Sequence, residues 1–171
     1  MNETIKALTT RKSCRSFQET HVDKALIEQI IEAGLNAPSG MNRQTQRFVA
    51  VTDDKTVAQL SKMNADVMNM PSDPFYGAKD VIIVLAKKEG TYLYDGSLAM
   101  GNLLNAAWSL GVGACWIHRA KEVFESDEGK VLLKQWGVEE DVEGIGFCIL
   151  GNTKDEKPKT EIKPNRAFYV E

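Results

Sequence analysis

Apolar positions recur at helical spacing through most of the chain and condense into short unbroken runs between those stretches. Residues 2–10 predict a short helix. Asp23 is placed as the N-cap of a second helix, in which Leu26, Ile27, Ile30 and Ile31 form one stripe that stops before Pro38. Phe48 to Val51 reads as a short strand. Asp53 or Asp54 can cap the next helix, which carries Val57 and Leu60 and breaks up by Pro71 and Pro74. Val81-Ile82-Ile83-Val84-Leu85 lacks polar alternation, the pattern of a strand buried on both faces, and is expected in mid-sheet. From Tyr92 to Leu110, the small residues Gly96, Ser97, Ala99, Gly101, Ala106 and Ala107 mix with Leu98, Leu103, Leu104 and Trp108. Such a helix is apolar or small nearly all round, so it should be buried with another helix close to its backbone. Gly111 ends it, and Gly113 to Ile117 starts a new strand. A helix near Lys121 to Gln135, a strand around Ile145 to Leu150 and a polar tail ending Arg166-Ala-Phe-Tyr-Val170 complete the pattern. With no repeat or linker, residues 1–171 read as a single domain of mixed α/β layers with an interrupted sheet.

Composition narrows the function classes. The chain has 171 residues, 43% hydrophobic and 26% charged, enough to bury roughly two-thirds of its unfolded surface in a core. A formal net charge of -3 argues against a general nucleic-acid footprint, which needs a basic face. The start MNETIKALTT has no signal-peptide core, and runs such as Val81 to Ala86 are too short to span a bilayer, so a cytoplasmic protein without a membrane partner is expected. Cys14, Cys115 and Cys148 are odd in number and include no Cys-x-x-Cys pair, and only His21 and His118 accompany them. Neither a disulfide nor a metal site is expected.

Against this acidic background, Arg11-Lys12-Ser13-Cys14-Arg15 places three cations and a hydroxyl within five residues, and Lys163 and Arg166 follow near the end. If the first segment is extended, Arg11, Ser13 and Arg15 face one side while Lys12 and Cys14 face the other. Guanidinium forks with a hydroxyl between them suit a phosphate; a solvated basic surface is the plain alternative. Dinucleotide glycine motifs fail, because Gly111-Val-Gly113 and Gly144-Ile-Gly146 both lack the third glycine. No P-loop and no Gly-x-Ser-x-Gly elbow is present, and two histidines leave little scope for a hydrolytic triad.

Four segments in order, Arg11 to Phe17, Ala37-Pro-Ser-Gly-Met-Asn-Arg-Gln44, Asp95 to Ala107 and Leu110 to Ile117, resemble the nitroreductase family of FMN-dependent oxidoreductases over nearly the whole chain. The resemblance implies an α+β fold with a central, mainly antiparallel sheet flanked by helices, in an intertwined homodimer with FMN at the subunit interface. Carried over by position, Arg11 and Ser13 would hold the FMN phosphate, Lys12 would belong to the cofactor-binding segment, and Arg15 would approach the N1/O2 edge of the ring. Lys163 and Arg166 would close the phosphate site from the tail. Pro38, Ser39 and Asn42, with Gln44 close by, would come from the partner subunit and line the ring; short polar residues after a helix are also ordinary loop chemistry. Trp116, Ile117 and His118 would lie along its other side, with a backbone N–H near His118 directed to N5. No side chain is assigned as catalytic: acid chemistry at the His118 imidazole and a reactive thiol at Cys14 are both disfavoured.

The chain departs from the pattern in two places. Thr45-Gln46 stands where the family often has Pro-Trp, and the compact length leaves little room for the helical excursion over the substrate pocket of longer relatives. The implied activity is ping-pong hydride transfer from NADH or NADPH, through flavin N5, to a small-molecule acceptor such as a nitroaromatic or quinone. Reduction of another substrate, as in dehalogenation, a non-catalytic FMN-storing or FMN-sensing dimer, and a site for a different phosphate remain as alternatives.

Overall fold

Helices start where a short polar side chain can take the first free amides. In the computed structural model, which describes residues 1–154 and 158–171, helix α1 spans Glu3–Thr10 and helix α2 spans Lys24–Leu35. Asn2 accepts from the Ile5 amide at 2.9 Å and Asp23 from the Ala25 amide at 2.8 Å. Strand β1 (Gln46–Val51) begins two residues before the expected Phe48, and helix α3 (Asp54–Met68) follows, its cap Asp53 accepting from the Thr56 amide at 2.8 Å. Strand β2 is Asp80–Lys87, helix α4 Tyr92–Ser109 and strand β3 Gly113–Ile117. Helices α5 (Ala120–Glu125) and α6 (Asp127–Gln135) and strand β4 (Val142–Gly151) complete the order.

The expected single helix over 121–135 is two. Ser126 breaks it with extended backbone at φ -67°, ψ 158°. Its hydroxyl donates to the Val123 carbonyl at 2.6 Å and accepts from the Gly129 amide at 3.0 Å, ending one helix and capping the next. Asp127 and Glu128 then fall in the first turn of α6, where carboxylates favour the helix dipole.

The sheet has four strands in the order β1-β2-β4-β3, and every neighbouring pair is antiparallel. The expected interruption reduces to one register shift between Val84 and Leu85, where β4 carries Ile145 as an extra residue. Residues 81–86 of β2 are all at most 1% exposed. Val81, Ile83 and Leu85 point to one core, with Leu60, Val123 and Leu132 from α3, α5 and α6. Ile82, Val84 and Ala86 point to the other, with Ile30 and Leu103 from α2 and α4. Two covered faces explain the unbroken apolar run, since each such side chain contributes about 1.5–3 kcal/mol on burial. Between α2 and α4 the backbones come close: a Cβ at Gly34 would lie 2.7 Å from Leu103. Among the described residues, no helix is long and apolar enough to cross a membrane.

Candidate functional site

The residues singled out by sequence occupy three places, each set by an element end. The first is the segment after α1. Arg11 leaves helical geometry at φ -52°, ψ 137°, and the chain then runs beside the sheet. The Cys14 amide donates to the Ala114 carbonyl at 2.9 Å, and Phe17 bridges Thr153. Cys14 turns fully into the core. Arg11, Lys12, Ser13 and Arg15 line one cavity of about 340 Å³ with Pro158, Lys159 and Thr160. Lys12 therefore lies with the other three and not on the opposite side with Cys14, because the segment is irregular and pairs only intermittently with the sheet. The lining cation from the tail is Lys159, whose ammonium donates to the Thr9 carbonyl. Lys163 and Arg166 are exposed further along the tail and do not line this cavity. Burial pushes the Cys115 thiol pKa up, opposed by nearby Arg15, Ser13 and Arg11.

The second place is the loop after α2. Pro38, Asn42 and Gln44 are exposed and Ser39 is half-buried. Met41, Asn42 and Gln44 take φ of 55°, 54° and 49°. Left-handed backbone costs about 1–2 kcal/mol per L-residue, least for Asn, so this loop stores strain. A Cβ at Gly40 would lie 2.1 Å from Oγ1 of Thr91, which restricts the position to glycine. The Gln44 amide donates to Ser39 Oγ at 2.9 Å, and Gln44 Nε2 donates to Asn42 Oδ1 at 3.0 Å. Thr45 and Gln46 are buried, so they offer no exposed contact from the loop.

The third place is the end of β3. Trp116 is 36% exposed, and its indole lies where a side chain at Gly146 would project, with Nε1 2.1 Å from the position of a Cβ there. Gly146 thus serves packing. The Ile117 side chain belongs to the core and leaves only its backbone for contact, while His118 is exposed. The His118 carbonyl accepts from Asn64 Nδ2 at 2.6 Å. A carbonyl only accepts, so the amide group of Asn64 must face it, and Asn64 Oδ1 is left buried without a hydrogen-bond partner. Asn64 is thus a buried polar tie between α3 and the end of β3, one that the sequence did not single out. Its signal was a polar residue at a buried position in the stripe begun by Val57 and Leu60.

The first two places stand at opposite ends of α4. Trp108 Nε1 donates to Thr10 Oγ1 at 2.9 Å, fixing the end of α1 near the C-terminus of α4. The Gly40 amide donates to Asp95 Oδ1 at 3.0 Å, fixing the loop at its N-terminus. At 1.5 Å per residue the stretch between Asp95 and Trp108 is about 20 Å long.

The nitroreductase family model matches residues 8–82, which include the basic segment and the strained loop. Over 164 residues the sequence is 31% identical to an NADH dehydrogenase/NAD(P)H nitroreductase of Archaeoglobus fulgidus, covering 92% of this chain and 89% of that one. The chain belongs to the nitroreductase family. A nitroreductase with bound FMN from Desulfitobacterium hafniense shares its fold over all of both chains, with a TM-score of 0.89 at 28% identity. The FMN-bound nitroreductase from Bacteroides fragilis superposes with a TM-score of 0.91 at 24% identity, a likeness of fold. The antiparallel sheet flanked by helices is therefore the nitroreductase fold, as the sequence motifs imply.

Proposed function

We propose that this chain is a single-domain, cytoplasmic FMN-dependent oxidoreductase that takes electrons from NADH or NADPH and gives them to a small-molecule acceptor such as a nitroaromatic or quinone. The observation that carries the reading is the cavity in which Arg11, Lys12, Ser13 and Arg15 converge. A phosphate dianion is matched by several charge-assisted donors at once, and this lining supplies guanidinium, ammonium and hydroxyl donors together.

When bound, FMN supplies a redox centre that accepts hydride at N5 and passes the electrons on in a ping-pong cycle. Arg11, Lys12 and Ser13 would hold the phosphate. Arg15 would supply a cation to the ring's N1/O2 edge, where a preorganised charge assists electron uptake. The backbone at Trp116, Ile117 and His118 would border the ring and could offer it an amide donor, so no side chain would be needed as an acid.

The separation of the two groups of residues favours a homodimer. A ligand gripped by Arg11 and also bordered by Ser39, Asn42 and Gln44 draws that loop from a second copy, since α4 separates the two within one chain. Exposed apolar side chains are available for such an interface: Ile5 and Leu8 on α1, Leu93, Tyr94 and Leu98 on α4, and Phe168, Tyr169 and Val170 in the tail. Lys163 and Arg166 lie in that tail and would reach a phosphate site only as it folds down in the assembly.

The test is an anaerobic visible spectrum of the FMN-loaded protein before and after NADH, then NADPH, followed by an acceptor. Loss of the flavin bands on adding a nicotinamide and their return with a nitroaromatic or quinone supports the reading. A yellow protein that neither nicotinamide bleaches would instead favour an FMN store or sensor.

A further inference from the structure

The first turn of α4 carries a buried carboxylate in an otherwise apolar and small-residue helix. Asp95 is 2% exposed. Its Oδ1 accepts from the Gly40 amide and from Thr91 Oγ1, both at 3.0 Å, and its Oδ2 accepts from Thr45 Oγ1 at 3.3 Å. Its backbone carbonyl accepts from Gln46 Nε2 at 3.4 Å. The helix dipole adds to the field that holds a negative charge there. These contacts grip the strained loop at both ends: Gly40 is its entry, and Thr45 and Gln46 are its exit into β1.

Between the two anchors Met41, Asn42, Arg43 and Gln44 are exposed, so core packing does not hold them. Met41, Asn42 and Gln44 nevertheless all take positive φ. A run of L-residues relaxes from that geometry unless its surroundings over-determine it. The hydrogen bonds to Asp95 at both ends, added to those of the Gln44 amide on Ser39 Oγ and of Arg47 Nη1 on the Gln44 carbonyl, over-determine it here.

We propose that Asp95 is a positioning residue that holds the 38–44 loop in its ligand-binding shape before any ligand arrives, and so sets affinity for the flavin ring and not for the phosphate. The inference rests on the reading of the loop as a ring contact in the FMN site. Asp95 touches no ligand itself. It acts by removing the need to order Ser39, Asn42 and Gln44 on binding, which is how preorganisation raises affinity.

The experiment uses the full-length protein and three variants. Asp95→Ala removes every side-chain acceptor, Thr45→Val removes only the exit anchor, and Asp95→Asn keeps an oxygen for Gly40 and Thr91. FMN affinity is read by fluorescence quenching, and inorganic phosphate by competition against FMN. Asp95→Ala should weaken FMN at least tenfold while leaving the inhibition constant of phosphate unchanged. Thr45→Val should weaken FMN about threefold, and Asp95→Asn should recover most of the affinity. In the FMN-free wild type the Gly40 amide should resist hydrogen exchange despite its place in a surface loop, and should exchange at least tenfold faster in Asp95→Ala.

Equal weakening of FMN and phosphate would make Asp95 a general scaffold residue and overturn the proposal. Wild-type FMN affinity in both Asp95→Ala and Thr45→Val would also overturn it. Should Asp95→Ala fail to fold, Thr45→Val and the wild-type exchange of Gly40 decide the matter. A wild type that binds no FMN would remove the cofactor reading and this inference's target together. A wild type that binds FMN with an unprotected Gly40 amide would overturn the clamp alone.

Discussion

Arg11, lining a cavity, and Cys148, buried in the sheet, show how differently two residues can act. Arg11 lines the basic cavity, so Arg11→Ala should weaken FMN binding by about 1.5–3 kcal/mol, the range for a hydrogen bond to a charged group, and leave thermal stability nearly unchanged. Unchanged affinity in equilibrium titration would remove Arg11 from the phosphate contact. Cys148 is fully buried, and burial, with a smaller effect of Cys115, drives its pKa far above the ordinary thiol value. In the unfolded chain that thiol titrates near pH 8.5. A folded pKa above the unfolded one means its contribution to stability is full below about pH 8.5 and is lost as pH rises toward the folded value. Urea unfolding at pH 7.5 and pH 10 should therefore show an alkaline loss that Cys148→Ala reduces; an identical loss in the variant would assign it to other groups. Asn64 belongs at this scale too. Composition gave no reason to single it out, because its meaning depends on the His118 carbonyl 54 positions away.

Local chemistry decided most element boundaries. Asn2, Asp23 and Asp53 cap their helices through their own side chains, so those starts were legible or nearly so in the sequence. The strand read from Val81 to Leu85 was legible because its alternate residues enter two different cores. The break at Ser126 was not recognised, since Val123, Phe124, Leu132 and Leu133 keep an apolar rhythm across it and only a serine followed by two acids marks the new start. Ser126→Ala should cost about 1 kcal/mol in chemical denaturation, the usual loss of a helix cap. A change below the error of the measurement would mean that the two helices are held by packing alone. The condition for placing Lys12 opposite Arg11, Ser13 and Arg15 is not met for a related reason: period-2 geometry applies to a paired strand, and the 11–16 segment is not one.

At the scale of the molecule, the α+β class, the antiparallel sheet and the family were all legible, because four motifs in order span the chain. The pairing of the basic segment with Lys159 was not, since it depends on where the tail turns after β4. The placing of the basic segment and the 38–44 loop at opposite ends of α4 was equally invisible in one dimension, and the proposal that one site is shared between copies rests on it. The most direct measurement is sedimentation equilibrium of the FMN-loaded protein, recorded at a protein wavelength and a flavin wavelength. The account predicts a single species of twice the chain mass carrying two FMN. Flavin bound tightly to a species of one chain mass would contradict it.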